Sequence, residues 1–172
     1  PAMGIGNALA TIVGQNLGAD QLKRTHRIIK KSALLTTTIM IGGIFLIYPA
    51  AGFIINFFTD EFEIASQATY YLKLITLALP LMGFFQIFVG TFQGSGHTIM
   101  AMVLMSGRLW GLRIPLIILL KTYTGMEAKS VWYAMVLSNL FISIIGYFMY
   151  LSGKWEKKVI KSNQEVEFEM SG

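Results

Sequence analysis

The sequence contains no cysteine. Disulfides, thiolate metal sites and cysteine nucleophiles are excluded together, while the redox compartment stays open. Charge is scarce too: Asp, Glu, Lys and Arg make up 13% of the chain, about half the share usual in a soluble domain. The two histidines, His26 and His97, lie far apart in the sequence, so neither a metal cluster nor a proton relay is expected. No gap between apolar runs exceeds about fifteen residues, which leaves no room for a soluble catalytic or nucleotide-binding domain. Paired carboxylates and a nucleophile with its base are likewise missing, and no enzyme is expected.

What is present is length without charge. Ala33 to Phe58 is 26 residues with no ionisable acid or base, and Ser130 to Leu151 is 22 with none. Gln67 to Gln93 holds one charge, Lys73, and Thr98 to Leu120 holds two, Arg108 and Arg113. A hydrocarbon core of about 30 Å takes roughly 20 helical residues, so each run is long enough to cross a bilayer. The mean hydropathy of +0.59 agrees. An all-α membrane protein is expected, a bundle of about five transmembrane helices near 1–17, 33–58, 66–93, 98–120 and 130–151. The first is cut short at Pro1, and residues 1–153 form one transmembrane lobe. Residues 154–172 read as a disordered cytoplasmic tail, basic and then acidic.

The gaps carry the orientation. Gly18 to Ser32 holds Lys23, Arg24, Arg27, Lys30 and Lys31 against Asp20, and the segment after the last run holds Lys154, Lys157, Lys158 and Lys161. Thr59 to Ser66 holds three acids and no base, and Lys121 to Lys129 two bases. Alternate gaps share a side, so nine basic residues collect on one side and two on the other. The positive-inside bias makes the nine cytoplasmic and places the C-terminus inside, in the cell membrane. The pI near 9.5 therefore reports topology and not nucleic-acid binding. Within Gly18 to Ser32 the alternation of Leu22, Ile28 and Ile29 with basic residues fits either a short helix on the membrane surface, capped by Asp20, or a plain basic loop.

Inside the spans, small residues recur at spacing four: Gly4 and Ala8, Ala10, Gly14 and Gly18, Gly107 and Gly111. Such rows predict close helix packing. Pro80 and Pro115 predict bends. Arg108 lies about 15 Å along its helix from Thr98, near mid-bilayer. Arg113 falls about 140° round an α-helix from it, so the two are expected to serve structure rather than one small site. Asn7, Thr11, Gln86 and Asn139 either join helices or contact cargo. Gly94-Ser95-Gly96-His97-Thr98 lacks the strand and the lysine of a phosphate loop and reads as a turn between two helices.

Four blocks in order then resemble one family. PAMGIGNALATIVGQNLGA at Pro1–Ala19, FFTDEFEI at Phe57–Ile64, GTFQGSGHT at Gly90–Thr98 and RLWGLRIPL at Arg108–Leu116 look like the second half of a MATE multidrug and toxin extrusion transporter. The resemblance implies a two-lobed protein of twelve helices, of which this chain is the eighth onward, with an N-terminal lobe as its partner. It implies efflux of drugs or other organic, often cationic, small molecules across the bilayer by alternating access, driven by a proton or sodium gradient. Asn7, Lys73 and Gln86 are then expected on the substrate pathway. The NorM-like branch has an acid in the helix matching Gln67–Gln93, and this chain has none, which is closer to the DinF-like pattern. No cofactor or metal is expected, and the coupling H+ or Na+ would be bound outside this chain. Two alternatives stay open: a flippase for lipid-linked oligosaccharide or polysaccharide, and a non-transporting membrane fragment.

Overall fold

A computed structural model of the chain describes residues 1–125 and 127–157. All regular structure among them is helical: α1 (Ala2–Gly18), α2 (Leu22–Asn56), α3 (Phe62–Leu77), α4 (Leu79–Gly94), α5 (Thr98–Ser106), a π-helical segment (Gly107–Arg113), α6 (Ile114–Thr124), α7 (Glu127–Leu151) and a closing 3-10 turn (Lys154–Glu156). Three rods are long and apolar enough to cross a membrane, α2, α7 and the continuous stretch Thr98–Thr124, and the bent pair α3–α4 makes a fourth. Helix α1 adds 17 residues.

Burial is inverted relative to a soluble protein. Phe45, Phe53, Phe57, Phe58, Trp110 and Tyr123 all stand exposed, while Thr25, Thr36, Thr76, Thr91, Ser130, Ser138 and Asn139 are buried. Apolar rings outward and hydroxyls inward is the arrangement a hydrocarbon solvent favours. Several hydroxyls return their proton to their own helix, as Thr76 does to the carbonyl of Leu72 at 2.6 Å and Thr91 to that of Ile87 at 2.8 Å.

Helix α4 is the hub, with α1, α2, α5 and α7 all against it. A Cβ built on Gly83 would lie 2.8 Å from a methyl of Thr36 in α2, and one on Gly146 in α7 would lie 2.7 Å from the Phe88 ring. Against α1 the approach is closer still. A Cβ on Gly90 would fall 2.4 Å from the carbonyl oxygen of Gly6, and one on Gly94 would fall 2.2 Å from that of Ala10. The seam therefore pairs Gly6, Ala10 and Gly14 with Gln86, Gly90 and Gly94, and the two helices run parallel. The rows expected from sequence were partly others: Gly4, Gly18 and Gly111 have no neighbour within 4 Å of an added Cβ. Spacing alone could not say which side of α1 meets a neighbour.

The basic gap also differs from expectation. No separate surface helix forms; α2 starts at Leu22 and runs unbroken for 35 residues, about 52 Å. From Leu22 to Ile41 the sequence holds neither Gly nor Pro, and Lys and Arg are good helix formers, so nothing stops the rod at the membrane surface. The N-cap position falls on Gln21, and Asp20 sits in the preceding turn at φ 57°. The rod continues through Pro49.

The span expected at 66–93 is two helices bent by 44° around Ala78. Pro80 offers no amide to the carbonyl of Thr76, so the ladder breaks there. Pro115 lies at the start of α6, immediately after the π segment, where the amide of Ile114 bonds the carbonyl of Leu109 five residues back.

The tail begins ordered, contrary to expectation. Trp155 in the closing turn is fully buried, stacked on Tyr150 at 5.2 Å, and its indole N–H donates to the Tyr150 carbonyl at 3.0 Å. His26 of α2 completes the contact: Nδ1 meets the Tyr150 hydroxyl at 3.0 Å and Nε2 meets Glu156 Oε1 at 3.1 Å. The end of α7 is thereby fastened to the start of α2, which puts both basic segments at one end of the bundle. The rest of the expected tail, 158–172, lies outside the described residues.

Candidate functional site

Three groups of polar side chains occur within the membrane-length helices. The first lies at the α1–α4 seam. Gly6 packs on Gln86, a Cβ at Gly6 falling 3.0 Å from the Gln86 carbonyl, so Asn7 and Gln86 come to the same crossing. Asn7 is exposed, and its carbonyl takes the Thr11 hydroxyl at 3.5 Å. Gln86 is half-buried. Of these two pathway candidates, Gln86 packs on Gly6, the residue just before Asn7.

Lys73 is elsewhere. It lies on α3, before the break, with its ammonium 5.4 Å from the ring centre of Tyr48 on α2. A cation over an aromatic face near a membrane boundary is a stable resting place for a long basic side chain. Helix α3 leans chiefly on α2, whereas α4 sits on α1, so the bend at Ala78 separates Lys73 from the Asn7–Gln86 pair.

The third group surrounds the π segment. Arg108 lays its guanidinium on the Phe85 ring of α4, 4.2 Å from the centre, and its Nε is buried without a hydrogen-bond partner. Arg113 donates from Nε to Ser138 of α7 at 3.4 Å. In a π turn residues five apart come close to stacking one above the other. The angle expected for Arg108 and Arg113 in an α-helix therefore does not hold, and both reach toward the α4–α7 side. Neighbouring Asn139 is buried with its Oδ1 unbonded. No helix described here carries an acid beyond its first turn, where Glu63, Glu127 and, in the closing 3-10 turn, Glu156 sit. Within the described residues the two arginines have no carboxylate in the spans.

Sequence reasoning missed Phe85, Ser138 and Tyr48, because each is an ordinary residue until the packing sets it beside a cation. It also missed the aromatic group Tyr70, Tyr71, Trp132 and Tyr133, where α3 meets α7. The hydroxyls of Tyr70 and Tyr133 bond one another, and that of Tyr71 meets Met135 Sδ at 3.7 Å. Two tyrosines and a Trp-Tyr pair in separate spans were a readable sign of a membrane-boundary belt. No group of three metal-ligating side chains occurs among the described residues.

Comparison with known proteins adds the following. The MatE family model matches residues 1–119. "Probable multidrug resistance protein NorM" of Thermotoga maritima is 25% identical over 176 residues, covering 97% of this chain and 36% of that protein. "Probable multidrug resistance protein YoeA" of Bacillus subtilis is 29% identical over 164 residues, covering 93% of this chain and 34% of that protein. A solved structure described as an inward-facing conformation of a multidrug resistance MATE family transporter of the MOP superfamily aligns with a TM-score of 0.82 at 19% identity. It covers 93% of this chain and 38% of its own, which shows the fold. The chain spans about a third of the length of these relatives.

Proposed function

The chain belongs to the MatE family, and from that membership we propose that it is the C-terminal lobe of a secondary-active exporter of drugs or other organic, often cationic, compounds. The observation that carries this reading is the broken helix α3–α4. Its halves both pack on α2 but only α4 packs closely on α1, and they meet at Ala78 with a bend of 44°. A span with a loosened ladder at mid-depth can change its bend without unfolding, which alternating access requires. The Asn7–Gln86 crossing lies on one side of that bend and Lys73 on the other. Motion there alters which polar groups face the cleft between this lobe and an N-terminal lobe.

The coupling ion, H+ or Na+, is bound by a carboxylate outside this chain. That rests on the lack of any acid in the described helices past the first turn, a DinF-like feature, although one relative bears the name NorM. The basic end of the bundle faces the cytoplasm of the cell in which it is made, by the charge asymmetry of the gaps.

The test is dye export by the whole transporter in membrane vesicles, with Asn7→Ala, Gln86→Ala and Lys73→Gln made singly. A change in which of several dyes is exported is the expected result for Asn7 and Gln86. Uniform loss in step with loss of protein would mean that they only hold helices together, and export indifferent to an imposed gradient would end the reading itself.

A further inference from the structure

The first three turns of α2 hold five cations whose number the bundle does not require. Lys23, Arg27 and Lys31 form a row at spacing four, with Arg24 beside it, and together with Ile28 they line a recess of about 510 Å³. All four cations are exposed. Like charges at spacing four destabilise a helix, and cations in its first turn oppose the macrodipole, so the row stands at a cost in the free protein. Arg24 bonds the Gln21 side chain at 3.1 Å. Asp20, one turn earlier, borders an adjoining recess with Gln21, Leu22, Lys23 and Arg24, so one acid stands at the edge of the group.

The opposite face of the same turns is fixed. Thr25 and Ile29 are buried, and His26 is held by Tyr150 and Glu156. The row cannot roll inward, and its cations keep a set direction. Its depth is set as well, because the charge-free run begins at Ala33, two residues after Lys31. At about 1.5 Å per residue, Lys31 lies at the headgroup boundary and Lys23 about 12 Å above it.

We propose that this recess binds the headgroup of an anionic phospholipid. The phosphate sits among Lys23, Arg24, Arg27 and Lys31, and Ile28 with the start of the apolar run receives the glycerol and upper acyl chain. Position selects lipid over a soluble anion: Lys31 ends the recess at the headgroup boundary, and the charge-free run from Ala33 carries the same rod on into the hydrocarbon. The site is independent of what the exporter carries.

The experiment uses the whole protein in vesicles of phosphatidylcholine alone or mixed with phosphatidylglycerol, with retained lipids counted by native mass spectrometry. The wild type should enrich phosphatidylglycerol over phosphatidylcholine. Arg27→Gln, at the centre of the row, should lower that enrichment about fivefold, the equivalent of ~1 kcal/mol for one surface cation. The variant with Lys23, Arg24, Arg27 and Lys31 all changed to Gln should abolish it. Lys23→Arg with Lys31→Arg should keep it, and so should Lys121→Gln with Lys129→Gln at the other end of the bundle. If the fourfold variant fails to fold, Arg27→Gln decides. Enrichment unchanged in Arg27→Gln would overturn the proposal. So would thermal stabilisation by inorganic phosphate in pure phosphatidylcholine vesicles as large as that given by phosphatidylglycerol, which would assign the recess to a soluble anion.

Discussion

Arg108 occupies a place that an ammonium could not fill in the same way. Its planar guanidinium covers the Phe85 ring at 4.2 Å while its Nε is buried and unbonded. A charge at this depth is costly, and the ring face replaces part of the lost hydration. Lys at this position would concentrate the charge and lose the stacked contact. Arg108→Lys and Phe85→Leu should each lower the thermal stability of the purified protein, and the double variant should fall short of their sum by about 1 kcal/mol. Additive losses would mean that the ring contact contributes nothing. The pair was legible only in half: the arginine stood out as an intramembrane charge, but its partner lies 23 residues back in another helix, and nothing in Phe85 marks it among 12 phenylalanines.

At the scale of elements the helix seam of α1 and α4 decides whether the bundle assembles. In lipid, apolar surface gains little by meeting other apolar surface, so close backbone approach and dispersion do the work. A methyl on Gly90 or Gly94 would meet backbone oxygen and carbon, which cannot move aside as a side-chain end can. Gly90→Ala and Gly94→Ala should therefore force the helices apart and sharply reduce folded protein in the membrane fraction. Gly18→Ala, with open space around it, should leave the yield unchanged. Equal yields for all three would show that the seam yields without cost. The seam also marks what a sequence can reveal at this scale. The charge-free runs reported the spans because their cause is local, the cost of a charge in hydrocarbon. The choice among small residues depends on which side of a helix faces its neighbour, and that is settled by the whole bundle. The π segment was hidden for a related reason: projecting Gly107–Arg113 on an α-helix assumes the very register that the structure changes, so two arginines placed apart on paper share a side in the fold.

On the proposed reading as one lobe of an exporter, the deciding feature for the whole molecule is the distribution of charge between lobes. Gradient-driven export needs a group that takes up and releases a cation within the membrane, and a carboxylate is the ordinary choice. Among the described residues the membrane-length helices offer only Glu63 and Glu127, both in first turns at the end away from the basic segments, where water reaches them, while Glu156 in the closing turn pairs with His26 at the opposite end. Asp60 and Glu61 lie in the adjoining loop and are exposed. Asp60, Glu61, Glu63 and Glu127 all stand exposed at their end of the bundle, outside the apolar interior of the spans. Neutralising them together, as Asp60→Asn with Glu61→Gln, Glu63→Gln and Glu127→Gln, should leave gradient-driven dye export by the whole transporter within about twofold of wild type, as expected for surface substitutions. A single membrane carboxylate in the N-terminal lobe should abolish export when made an amide, while dye binding to the purified protein persists. The reverse pattern, with export lost from the fourfold variant and kept in every N-terminal one, would move coupling into this lobe. The two arginines beside α7 would then have to be reconsidered as partners of an acid that approaches them only in another state of the transport cycle.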